Sequence, residues 1–250
     1  VKAFIDGALG SRGAALFEPY SDDTNNCGLI LISKQEFMDL TEKCKKFGFQ
    51  LCTHAIGDKG NSMVLDLYSK TISNVHDHRW RIEHAQMVDD KDIPRFFENG
   101  IVPSMQPTHC TSDMRWMEDR IGNHRLNKIS RWKTFIDSGC KIPGGSDCPI
   151  EEGNPLFEYY AAVTRKDHSG YPKSGWQSDE CIDRIDALKM LTTWGAYGEF
   201  AETKRGQIKI GYDADLTVLS NDLLQCNEKS ILDTEILMTI VNGKILKNIL

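Results

Sequence analysis

The chain has 250 residues, 40% of them hydrophobic, and carries 36 acidic against 30 basic side chains for a formal net charge of −6. This supports one large domain, or one with a small satellite, and no apolar run reaches the roughly 18 residues that a membrane span needs. Lysines and arginines are scattered rather than striped with aromatics, which argues against a nucleic-acid partner. The eight cysteines include no C-x-x-C pair. That excludes a ribbon-type zinc site and makes a poor disulfide framework, so reduced thiols in a cytoplasmic protein are expected.

Val1–Asp6 reads as a strand that starts at the first residue, without an initiator Met, so the natural amino terminus is expected to lie upstream. Ser33-Lys34-Gln35-Glu36 is a capping box, and Phe37, Leu40, Cys44 and Phe47 follow on one helical face until Gly48. Phe49–His54 reads as a strand, Gly60–Ile72 as a helix, Trp80–His84 as a strand, a helix spans about Asp90–Glu98, and Ile101–Met105 reads as a strand. Ser130–Asp137 reads as helical and leads into a strand at Cys140–Ile142, and helical patterns continue through Leu156–Thr164 and Ile185–Trp194. Strands separated by single helices imply parallel pairing in an α/β fold. After Gly206 the segments Gln207–Ile210, Leu216–Leu219 and Ile236–Val241 predict a small β appendage, with a turn at Asn242-Gly243.

In parallel α/β folds the chemistry sits at the carboxyl ends of strands. Here one strand ends in His54, the next in His84, and the last before residue 150 runs into Asp147. A lone strand-end His often serves only to bond a backbone carbonyl. Two His and one Asp at three strand mouths are instead the residue types that hold a divalent metal and activate its water.

Five segments carry a resemblance: Lys2 through Arg12, His54-Ala55-Ile56-Gly57-Asp58, Arg81-Ile82-Glu83-His84-Ala85, Gln106-Pro107-Thr108-His109 and Gly145-Ser146-Asp147-Cys148-Pro149. In this order they resemble amidohydrolase family 3, the YtcJ-like branch. The tail Gly206-Gln207-Ile208 with Gly211 to Leu216 is similar to the return strands of that superfamily's β-sandwich. The resemblance implies a (β/α)8 TIM-type barrel, with strands four to eight in residues 1–203 and carboxy-terminal β-sandwich strands in 204–250.

It further implies His54, His84 and Asp147 as metal ligands, Asp147 also as general base, and Lys2 as a ligand through a carbamate bridging two ions. Zinc is the expected metal, as one or two ions. His109, read as a loop residue, is expected to assist at the reaction oxyanion, and Arg12 to bind a substrate carboxylate. By strand alternation Arg81 and Glu83 are expected under the helix layer, with Trp80 and Ile82 filling the barrel.

The family's His-x-His of strand one has no counterpart, because His76-Asp77-His78 precedes a strand. The missing amino-terminal part, or another chain in a homo-oligomer, is therefore expected to close the barrel. The expected activity is hydrolysis of a non-peptide, amide-like carbon–nitrogen bond of a small molecule. The alternatives are a mononuclear deaminase, served by a carboxylate such as Asp58 or Glu83, and a catalytically incomplete fragment.

Overall fold

The capping box forms as its residues dictate. Ser33 Oγ accepts the Glu36 N–H at 3.2 Å, and the Glu36 carboxylate accepts the Ser33 N–H at 3.1 Å. Helix α1 (Lys34–Phe47) follows and stops at Gly48, whose φ of 68° is the left-handed conformation that glycine adopts freely. The computed structural model describes residues 1–250. They form two compact units, one of Val1–Met105 with Ser112–Ile142, the other of Gln106–Thr111 with Pro143–Leu250.

In the first unit β1 (Lys2–Phe4), β2 (Cys52–Ala55), β3 (Arg81–His84) and β4 (Val102–Ser104) pair in that order, all parallel. Helix α1 lies between β1 and β2 in sequence, α2 (Asp58–Ile72) between β2 and β3, and α3 (Ile93–Glu98) between β3 and β4. The expected strand at Cys140–Ile142 joins no ladder, although Cys140 and Ile142 are buried, so the parallel sheet has four strands rather than five.

Helices α1 and α2 cover one face of the sheet. Thr53 Oγ1 lies 2.6 Å from the Tyr68 hydroxyl, Tyr68 stacks on Phe37, and Trp80 meets Tyr68 edge-on at 5.0 Å. Full burial of a side chain such as Phe37 stabilises by about 1.5–3 kcal/mol. Register pairs Thr53 with Ile82, so Ile82 shares this covered face, as does Trp80. The expectation for this strand is thus reversed. Trp80 and Ile82 pack under the helices, while Arg81 and Glu83 lie on the opposite face with Cys52 and His54. There Arg81 Nε donates to Glu83 Oε1 at 2.9 Å.

After β4 come α4 (Pro107–Ile121) and α5 (Trp132–Asp137). No capping residue marks a helix at 107–121 in the sequence, yet Cys110, Met114, Met117 and Ile121 recur at helical spacing and are all buried.

The second unit contains α6 (Pro155–Thr164), α7 (Arg184–Leu191), α8 (Thr193–Gly198) and α9 (Glu228–Leu232). Its strands β5 (Leu216–Leu219), β6 (Ile236–Val241) and β7 (Lys244–Asn248) form an antiparallel sheet. Asn242-Gly243 turns the β6–β7 hairpin with φ of 48° and 75°, as its dipeptide predicts. Gln207–Ile210 is not a strand. Ile208 and Ile210 alternate as a strand would, but both are fully solvent-exposed and no neighbouring strand pairs with them. No helix is long and apolar enough to cross a membrane, and all eight cysteines are free thiols.

Candidate functional site

Two imidazoles meet at the ends of neighbouring strands. His54 is the third residue of β2 and His84 the last of β3, and their ring centroids lie 4.6 Å apart at an interplanar angle of 70°. Alternation would point His84 to the helix-covered face with Ile82. Its φ of 75°, followed by 41° at Ala85, breaks that alternation and brings the ring beside His54. A left-handed non-glycine residue costs roughly 1–2 kcal/mol, so the surrounding packing sustains this pairing against strain.

His54 Nε2 is 3.3 Å from the Gly7 carbonyl oxygen and 3.6 Å from Asp6 Oδ1. Phe4 lies against the same ring at 5.2 Å. Register places Lys2 beside Cys52 and Phe4 beside His54, so Lys2 shares the face of His54, its ammonium 5.3 Å over the Phe4 ring. Strand β1 ends at Phe4, and Lys2 is two residues from that end.

Arg12 stands elsewhere in its chemistry. Its guanidinium donates to both Asp22 oxygens, Nε to Oδ1 at 3.0 Å and Nη2 to Oδ2 at 2.9 Å, and Arg120 pairs with the same carboxylate. The fork expected for a substrate carboxylate is closed on the protein's own acid.

Asp147 belongs to the second unit and opens a turn in which its carbonyl accepts the Ile150 N–H at 2.9 Å. His109, expected in a loop, is the third residue of α4. The helix starts at Pro107, which tolerates a first helical position because the N–H it lacks is unpaired there anyway. Desolvation lowers the His109 pKa, while the negative fields of Glu151 and Asp147 act against that shift. A cavity of about 560 Å³ in this unit, lined by Val163, Ile182, Arg184, Ile185, Leu224 and Glu228, contains none of the expected site residues.

No group of three or more His, Cys, Asp and Glu side chains is assembled to hold a metal ion. The His54–His84 pair does fit two neighbouring positions on one divalent ion, since both donors are imidazoles at adjacent strand ends. As a donor set it is partial.

The sequence profile described as the amidohydrolase family matches residues 1–247. The chain belongs to amidohydrolase family 3. YtcJ of Bacillus subtilis (strain 168), named as an amidohydrolase, is 36% identical over 245 residues, 98% of this chain and 46% of that protein. The N-substituted formamide deformylase of Arthrobacter pascens is 27% identical over 249 residues, 97% of this chain and 44% of that protein. An uncharacterized metal-dependent hydrolase of Pyrococcus horikoshii OT3 superposes with a TM-score of 0.81 at 32% identity, over 91% of this chain and 45% of that one. This family 3 chain spans about half the length of the curated relatives it matches.

Within the family 3 motifs, sequence reasoning gave Asp6 no role. Asp6 is buried, and its carboxylate accepts N–H groups from Ala15 at 2.9 Å, Ile56 at 3.0 Å and Gly57 at 2.8 Å. Burial pushes its pKa up to about 7 against the pull of those three donors. The Ala15 carbonyl in turn accepts the N–H groups of Lys59 and Gly60, and so caps α2 where Gly57 offers no side chain. A Cβ on Gly57 would lie 2.0 Å from that oxygen, and one on Gly60 2.6 Å from Asp6 Oδ2. The legible signal was an acid just after a strand, matched to glycines at 57 and 60. Asp58 caps as well, accepting from Phe17 and Lys59.

Proposed function

We propose that the protein hydrolyses an amide-like, non-peptide carbon–nitrogen bond of a small molecule with the help of a divalent metal. The observation that carries this reading is the His54–His84 pair, set at adjacent strand ends by a strained backbone. Membership of amidohydrolase family 3 supports hydrolysis. A relative named for deformylating N-substituted formamides supports the bond class.

In this reading His54 and His84 would hold a divalent ion, and Asp147 and a carbamate on Lys2 would be the further ligands that the family resemblance implies. Further donors come from residues outside this chain. When bound, the metal, which we take to be zinc, supplies a Lewis acid that activates water. Asp147 takes the proton of the attacking water and passes it to the leaving nitrogen. His109, with its pKa held down by desolvation, is a neutral imidazole near pH 7 and donates its N–H to the oxygen on which charge develops.

The test is metal content by mass spectrometry together with formate or carboxylate release from N-substituted formamides and cyclic amides. His54→Ala and His84→Ala should each lose bound zinc, and a chelator should abolish turnover. Full metal content and turnover in both variants sinks the reading. Glu83 lies on the His54 face by register, which favours ring-amidine deamination as the second reading. Its engagement by Arg81 ranks it lower. Ammonia as the nitrogen product would select it.

A further inference from the structure

The first N–H groups of a helix have no partner within it, and Ser, Thr, Asp or Asn at the preceding position normally supplies one. Helix α4 is preceded by Gln106 and has no acid in its first turn. A carboxylate 50 residues away takes the place of a cap. Glu158, on α6 and 1% exposed, accepts the Thr108 N–H at 3.0 Å through Oε2 and the Thr108 hydroxyl through Oε1. Thr108 is adjacent to His109. Gln106–Thr111 clusters with the unit that carries Glu158, Asp147 and Glu151, although the rest of α4 does not.

We propose that Glu158 is a positioning residue for His109, holding the first turn of α4 from α6 and fixing where the imidazole stands relative to Asp147 and Glu151. This rests on the reading of His109 and Asp147 as the groups that handle charge and proton. Two bonds on one residue set both the height and the rotation of that turn. A single-residue slip in a helical turn rotates a side chain by roughly 100°, which would carry the ring away from its acidic neighbours.

The experiment is NMR of the His109 ring in the 250-residue chain, with the exposed His124 as internal reference. Glu158→Ala should shift and broaden the His109 resonances and unprotect the Thr108 amide from exchange. Glu158→Gln, which keeps an acceptor of the same reach, should restore both. Unchanged His109 resonances in a folded Glu158→Ala variant overturn the proposal. If that variant does not fold, Thr108→Val decides, since it deletes the hydroxyl bond alone and an unmoved ring again overturns the proposal.

Turnover of the whole enzyme gives the second readout. Glu158→Ala should lower kcat by on the order of 10²-fold, the effect of misplacing a catalytic group by about 1 Å, with KM little changed. Turnover unaffected by His109→Asn would remove the catalytic reading of His109. The NMR result would still report on the positioning contact, so the two failures are distinguishable.

Discussion

Asp6 and Glu158 are both buried acids whose carboxylates meet backbone N–H groups, and they yield different expectations. Replacing Asp6 with Ala leaves the N–H groups of Ala15, Ile56 and Gly57 without their acceptor. At about 1–3 kcal/mol for each buried unmet group, the loss should exceed about 3 kcal/mol in denaturant unfolding. A variant within about 0.5 kcal/mol of the parent would show that the three donors find other partners. For Glu158 the prediction concerns pH. Burial raises its pKa from 4.5 to about 7, with the Thr108 bonds pulling the other way. A carboxyl raised in the folded state favours the fold while protonated. Its contribution is therefore fully present below 4.5 and is lost as pH rises through about 7. Stability of the parent should fall between about pH 5 and pH 8 by an amount on the order of 2–3 kcal/mol more than that of Glu158→Gln. Parallel pH profiles would remove Glu158 as the source.

Elements with local signals were legible in the sequence. Helix α1 was readable to the residue at its start because Ser33 and Glu36 cap each other without outside help. The order of β1 to β4 and the Asn242-Gly243 turn were readable too. What escaped depended on other parts of the chain. Helix α4 takes its cap from Glu158, so no capping residue marks its start, and the sequence alone places His109 in a loop. Gln207–Ile210 has strand periodicity but no pairing neighbour. Alternation counted back from His84 gives the opposite facing for β3, because His84 is the one residue of the strand whose left-handed φ breaks it. The His54–His84 pairing was anticipated from strand ends, whereas the backbone twist that achieves it has no sequence signature. Glycine at 57 is a further element-scale constraint. Gly57→Ala should destabilise by roughly 1–3 kcal/mol, as overpacking does, because its Cβ meets the Ala15 oxygen. An unchanged melting temperature would show that the loop yields.

At the scale of the whole molecule, the four-stranded sheet has β1 and β4 as its edges and leaves Phe4 52% exposed on the face opposite α1 and α2. Unpaired sheet edges of this kind recruit a covering partner. The 250-residue chain alone should therefore associate, and light scattering should give a mass above 28.3 kDa. A monodisperse monomer with stoichiometric zinc would contradict both this and the assignment of donors beyond the chain. Surface loops ordinarily accept added residues, but residues 7–31 behave as a belt of fixed length. Ala15 and Phe17 are buckled to Asp6 and Asp58, Leu29 to the Gly13 carbonyl, and Leu31 to that of Ile5. Slack exists only at the exposed tip around Thr24 and Asn25. A peptide tag spliced between those two should leave the fold intact, whereas the same tag after Ala15 should unfasten the belt from α2 and from His54.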